Sequence, residues 1–321
     1  TEDEVKELLK PSLEYIKLLK NDLRVFKQHI KTNANKLEEK LKDDLDDIEA
    51  IDNENKISNS MNDFMYQMIT LNKSFANTEI FKNYRSEAIN NYIENIKRGH
   101  VLINGNYSVI IANSIDYLYH AIGKLEKNDN GTVISKMKCG SEQCEVIMCD
   151  RFNYGDKLLL SRSPMPVQGN IVIANNIKNN DILTYFSYEN KMPKNVVHIN
   201  ATSSNIMERG SSLDFDGDKF LITDNKVLVE SAIKNYDTFK VPVNKIISKD
   251  KLKYSFTNAD KCRLDIRTAK NNIGRIINDS MILVSELWNR VNNGEEVDEK
   301  LYSICSELSI MSCVSIDSAK K

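Results

Sequence analysis

Three aspartates stand at i, i+2 and i+4 in the stretch Ser211-Ser212-Leu213-Asp214-Phe215-Asp216-Gly217-Asp218-Lys219-Phe220. On a regular strand such carboxylates would point one way, yet lie too far apart along the chain to share an ion. Gly217 gives the backbone freedom to curl, so that Asp214, Asp216 and Asp218 can converge on one point. Carboxylates that close repel one another in a water-poor site. A hard divalent cation relieves the repulsion, so the spacing points to Mg²⁺, with Mn²⁺ as a substitute.

Other uses of this pattern can be weighed from the flanks. Asp and Gly together are ordinary turn chemistry, and a solvated turn is the plain alternative. An EF-hand needs glycine at loop position six and a bidentate Glu at twelve. Counting from Asp214, Gly217 is fourth and the twelfth residue is Asn225, so that loop is excluded. A haloacid-dehalogenase-like phosphohydrolase expects a buried apolar strand before its first Asp. Here Glu208-Arg209-Gly210-Ser211-Ser212 precedes it.

Landmarks on either side make the pattern more specific. Upstream lie Leu160-Ser161-Arg162-Ser163-Pro164 and a turn at Gln168-Gly169-Asn170. Downstream come Asn272-Ile273-Gly274-Arg275-Ile276-Ile277-Asn278 and Ser315-Ile316-Asp317-Ser318-Ala319-Lys320. In this order they resemble the Arg-x-Pro segment, aspartate loop, helix start and closing Val-Asp-x-x-Lys motif of the two-barrel RNA polymerases, with Ile316 in place of Val. That group comprises β′-type subunits, RNA-silencing RNA-dependent polymerases and single-chain phage enzymes of the YonO type.

The resemblance implies an α+β fold: a double-psi β-barrel flanked by an N-terminal helical region and C-terminal helices. It implies Mg²⁺-dependent nucleotidyl transfer from a nucleoside triphosphate to an RNA 3′ end. Asp214, Asp216 and Asp218 would hold the metal, and Arg162 and Ser212 would contact the substrate. Where β′ subunits carry Asn two positions before the first Asp, this chain has Ser212, as the silencing polymerases tend to. The first barrel, which supplies catalytic lysines, has no counterpart here, so a first-barrel segment or subunit is the expected partner, with template and RNA product. An abundance of Asn, Lys and Ile suggests an AT-rich genome and a phage-type, DNA-templated enzyme. The alternatives are an RNA-dependent enzyme of the silencing type, the phosphohydrolase, or a non-catalytic fold relative.

Composition agrees with a globular chain: of 321 residues, 41% are hydrophobic and 28% charged. The net charge of -2 creates no broad basic field for nucleic acid, so template contacts must be local or made elsewhere. No apolar run is long enough for a membrane span, and Thr1-Glu2-Asp3-Glu4 is no secretory leader. A cytoplasmic protein is expected (host cytoplasm if phage-encoded), and the initial Thr suggests a trimmed chain. Cys139, Cys144 and Cys149 are spaced too widely for a zinc pair and have no fourth ligand nearby, so reduced thiols are expected. Cys305 and Cys313 fall on the apolar side of a helix.

The elements that must position the loop fall into three parts. Residues 1–98 carry helical periodicity: Leu13, Ile16, Leu23, Phe26 and Ile30 form one face after Pro11, a first-turn proline. Leu37, Leu41, Leu45, Ile48 and Ile51 form a second face, with solvated Asp43, Asp44, Asp46 and Asp47 between them. Met61, Phe64, Met65, Met68 and Leu71 form a third, and Ile89, Ile93 and Ile96 a fourth. Residues 99–258 read as short strands punctuated by turns, which suits a closed barrel. Candidates are 101–103, 107–111, 145–148, 157–160, 171–173, 195–199, 220–222 and 239–243. His198, alternating with apolar residues, reads as a satisfied core or face histidine. Residues 259–321 return to helix, with Lys270, Arg275, Lys320 and Lys321 as cations able to reach phosphates.

Overall fold

A computed structural model describes residues 1–43, 61–138, 145–163, 165–189, 191–202, 204–211, 213–236, 238, 241, 255–268 and 272–316. The chain divides into two compact units, Thr1–Ile103 and Asn104–Lys321.

In the first unit, α1 (Glu2–Asn21), α2 (Leu23–Asp43), α3 (Met61–Leu71) and α4 (Glu79–Lys97) are joined in part by a 3₁₀ turn at Lys73–Asn77. Helix α1 begins at Thr1, whose side chain accepts from Glu4 N while Glu4 reaches back in a capping box. Pro11 therefore sits inside α1 and not in a first turn, and the apolar face that follows it is shared by two helices. The break is Asp22, extended at φ -111° and ψ 113°, whose carboxylate accepts from Arg24 N at 2.8 Å to start α2. Ile16, Leu19, Phe26 and Ile30 are buried with Met65, Ile69, Phe81 and Ile89, whereas Leu13 is exposed.

The inward face of α3 is rotated from the expected one. Met65 and Ile69 are buried, and Met61, Phe64 and Leu71 face solvent. Leu45, Ile48, Ile51, Asp44, Asp46 and Asp47 lie outside the described residues.

The second unit runs β1 (Gly105–Ile111), α5 (Ser114–Ala121), β2 (Val146–Met148), β3 (Lys157–Ser161), β4 (Ile171–Asn176), α6 (Asn180–Phe186), β5 (Val196–Ile199), α7 (Ile206–Arg209), β6 (Lys219–Thr223), α8 (Lys226–Asn235), α9 (Asn258–Thr268), α10 (Ile273–Asn292) and α11 (Glu299–Ile316). Its strands close into a barrel in the order β1-β5-β2-β4-β3-β6. The β1–β5 and β2–β4 pairs are parallel and the other four antiparallel. Closure leaves no strand edge exposed, which lets strands as short as β2 persist. The fold is the α+β barrel with flanking helices expected from the sequence.

Residues 101–103 are not a strand, and β1 begins at Gly105; residues 239–243, apart from Val241, lie outside the described residues. Alternation along each strand fills the barrel with Ile110, Ile147, Leu158, Leu160, Val172, Ala174, Val197, Ile199, Phe220 and Ile222. Cys149 joins this core, and burial pushes its thiol pKa up, as suits an inert thiol. Cys139 and Cys144 lie outside the described residues.

His198 lies between Val197 and Ile199 and therefore points out of the barrel. It is 2% exposed and shares a 2.8 Å hydrogen bond with Ser114 Oγ through Nδ1. Desolvation pushes its pKa down to about 4, which makes it a neutral face histidine, though only half satisfied, since its buried Nε2 has no hydrogen-bond partner among the described residues.

Candidate metal centre

Two segments meet at one end of the barrel. Strand β3 delivers Arg162 directly after Ser161, and Ser161 pairs with Leu221 of β6. Strand β6 begins at Lys219, so Asp218 stands at its entry, with its carbonyl accepting from Ile110 N of β1 at 3.0 Å. The aspartate loop thus has its last residue tied to the barrel wall. Its first part is anchored by Ile206 and Leu213, both buried in the barrel core.

Gly217 adopts φ 120°, the freedom the loop was expected to need. Asp214, Asp216 and Asp218 each present an oxygen within 4.8 Å of the others. Asp214 and Asp216 are exposed and Asp218 is half-buried, so the cluster opens to solvent. Hydrogen bonds within the loop draw it together: Asp214 N donates to Asp218 Oδ2 at 3.1 Å, and Asp216 N to Asp214 Oδ1 at 3.3 Å. Oxygen-only, carboxylate-rich donors suit a hard cation such as Mg²⁺ or Mn²⁺.

Arg162 lies against this loop. Nη2 donates to Asp218 Oδ1 at 2.9 Å, and Nη1 to the Ser211 carbonyl at 2.8 Å. Ser212 lies outside the described residues, as does Pro164.

Several residues that the sequence did not single out hold the loop in place. A β-carbon built on Gly210 would meet Leu213 Cβ at 2.6 Å, so only glycine lets Leu213 enter the core here. Ser211 is left-handed at φ 54°, with its Oγ 3.4 Å from Cys313 Sγ of α11. Arg209 is 7% exposed and stacks 3.8 Å above the Tyr236 ring, while Nε donates to Asn205 Oδ1 at 3.0 Å. The Arg209 carbonyl accepts from Asn170 Nδ2 at 3.0 Å, which ties the Gln168–Asn170 turn beneath the loop.

The two long C-terminal helices support the same region. Helix α10 begins at Ile273, after Asn272, as the motif there implied. Ser280 Oγ donates to Pro166 O at 2.9 Å, and Val167, Val284 and Cys305 form a small core. Cys305 and Cys313 are both buried on α11, as expected. Arg275 is exposed and lies 3.8 Å from Asp279, whereas Lys270, Lys320 and Lys321 lie outside the described residues.

This geometry argues against the phosphohydrolase expectation. Asp214 follows α7 and a loop, and the strand comes only after Asp218.

Known proteins agree with the barrel reading. The profile of the family described as "RNA dependent RNA polymerase" matches residues 7–321. Among solved structures, the chain is similar to the RNA dependent RNA polymerase QDE-1 from Thielavia terrestris, with a TM-score of 0.57 and 16% identity. That match covers 99% of this chain and 33% of the other, so the chain spans about a third of that polymerase. A comparison with curated proteins finds no match. Both matches are RNA-dependent enzymes, which favours that alternative over the phage-type, DNA-templated expectation. A profile that runs over nearly the whole chain, on a closed barrel with its aspartate loop at one end, places this protein in the RNA-dependent RNA polymerase family.

Proposed function

We propose that this chain is the catalytic, second-barrel portion of an RNA-dependent RNA polymerase of the silencing type. The observation that carries the reading is the convergence of Asp214, Asp216 and Asp218 at the end of the barrel, in a member of this family. The reaction joins the 3′ oxygen of an RNA strand to the α-phosphorus of a nucleoside triphosphate. The bond to the β-phosphate bridging oxygen breaks, the 3′ hydroxyl proton leaves, and pyrophosphate departs.

Asp214, Asp216 and Asp218 would hold Mg²⁺, or Mn²⁺ in its place. When bound, such a cation lowers the pKa of the attacking hydroxyl and offsets charge on the leaving oxygens. The aspartates do their part by presenting oxygens from a loop whose ends are fixed to β1 and to the barrel core. Arg162, planar and always charged, is the candidate for the ribose or a phosphate of the nucleotide, and Ser212 for a sugar hydroxyl. Further cations facing the triphosphate, and most of the template grip, would come from a first-barrel segment or subunit. The net charge of -2 supports that division of labour. Among the described residues no helix is long and apolar enough to cross a membrane. Thiols at Cys149, Cys262 and Cys305 favour a cytoplasmic setting.

The test is primer extension by a longer polypeptide that carries the first-barrel segment. RNA-templated synthesis that disappears in D214N, D216N and D218N is expected, with none from the isolated 321-residue chain. Extension on DNA but not RNA templates, or activity in the triple variant, would contradict the reading.

A further inference from the structure

Both carboxylate oxygens of Asp218 have protein partners. Arg162 Nη2 donates to Oδ1 at 2.9 Å, and Asp214 N donates to Oδ2 at 3.1 Å. The other arm of the same guanidinium reaches the Ser211 carbonyl at 2.8 Å. One cation from β3 thus bridges the start and the end of the aspartate loop. The Arg162 and Asp218 side chains are 14% and 19% exposed, so their pairing is screened less than a surface ion pair.

We infer that Arg162 is an exchangeable counter-ion of the aspartate loop: it neutralises Asp218 and lets go of Oδ1 when a divalent cation takes that carboxylate. The inference rests on reading Asp214, Asp216 and Asp218 as the cation site. Only after the exchange is Arg162 released for the nucleotide contact proposed above.

Two effects of Arg162 oppose each other. It shapes the loop, which favours metal binding, and it places a positive charge beside the metal, which disfavours it. The loop keeps its shape by other means: Leu213 packs on Gly210, Ser211 meets Cys313, and the Asp218 carbonyl is bonded to β1. Giving up the pairing of unit charges at 2.9 Å costs the cation-bound state roughly tenfold in affinity even at water-like screening. The charge effect therefore wins, and Arg162 holds the affinity of the site down.

Mn²⁺ titration of the full chain by water-proton relaxation tests this, using wild type, R162Q, R162K and the D214N/D216N/D218N triple variant. R162Q should bind Mn²⁺ about tenfold more tightly. R162K, which keeps the charge, should stay within about threefold of wild type. Unchanged or weaker binding in R162Q, with binding still lost in the triple variant, overturns the exchange and leaves the cation site standing. Equal binding in wild type and triple variant overturns both. A second readout uses only folded wild type: saturating Mg²⁺ should shift the ¹⁵Nε resonance of Arg162, assigned by its absence in R162K. A resonance that does not move overturns the exchange.

Discussion

Ser211 and Cys313 meet across 102 positions of sequence, with hydroxyl and thiol 3.4 Å apart, and this contact joins α11 to the root of the aspartate loop. Ser211 is 4% exposed and held at φ 54°, a region that costs a non-glycine residue free energy unless its surroundings fix it. Here the fixing comes from two directions, the Cys313 sulfur and the Arg162 guanidinium on the Ser211 carbonyl.

A side chain that tolerates this backbone poorly should expose the cost. Ser211→Val places a β-branched residue in the left-handed region and loses the thiol contact. It is expected to destabilise the chain by about 2 kcal/mol, whereas Ser211→Gly should cost far less. Urea unfolding of the two variants checks this, and equal midpoints would show that Ser211 is not strained.

Gly210→Ala should be costly for a different reason. The added methyl would lie 2.6 Å from Leu213 Cβ, with Leu213 only 5% exposed in the barrel core. A loss of about 1–3 kcal/mol is expected from the resulting overpacking. The double variant Gly210→Ala/Leu213→Ala should lose less than the sum of the two single losses, because the second change removes the clash. Strict additivity would place the two residues apart.

His198 gives the fold an acid sensitivity. Its folded pKa is lowered from 6.5 to about 4, so the unfolded chain binds more protons between those values. Stability is therefore full above about pH 6.5 and is lost as pH falls toward 4, by about 3 kcal/mol at most. Replacing His198 by Asn, whose amide can still meet Ser114, should flatten this part of the profile. Unfolding midpoints at pH 7 and pH 4.5 for both proteins provide the comparison, and parallel profiles would relocate the sensitivity.

The three aspartates should differ when removed one at a time. Asp218→Asn leaves the half-buried Arg162 without its carboxylate and should cost about 1–2 kcal/mol in the cation-free chain. Asp216 is more exposed, so Asp216→Asn should cost less than Asp218→Asn. Thermal melting in the presence of a chelator separates the two, and a larger loss for Asp216 would invert this picture of the loop.

The barrel and the tightness of its acidic loop were largely legible because both rest on local signals. Short apolar runs between turn signals marked β1 through β6, and Asp214, Asp216, Gly217 and Asp218 declared a tight acidic loop. The supports of the loop were not legible, since Ser211–Cys313, Arg209–Tyr236 and Ser280–Pro166 join residues far apart in sequence. The doublet Gly210-Ser211 was the one local hint. Buried Asn170 and Asn176 illustrate the same limit. A high asparagine count looked compositional, yet Asn176 Oδ1 accepts from Cys149 N and its Nδ2 donates to the Phe152 carbonyl. Pro11 misled because a proline suggests a helix start, whereas the capping box at Thr1 sets the true one.

On the proposed reading, Asp214, Asp216 and Asp218 together hold one divalent cation. Mn²⁺ bound to the full chain, counted by electron paramagnetic resonance, tests it most directly. One bound ion per wild-type chain is expected, and none in the D214N/D216N/D218N variant, with both proteins folded. A folded triple variant that still binds one Mn²⁺ would contradict it.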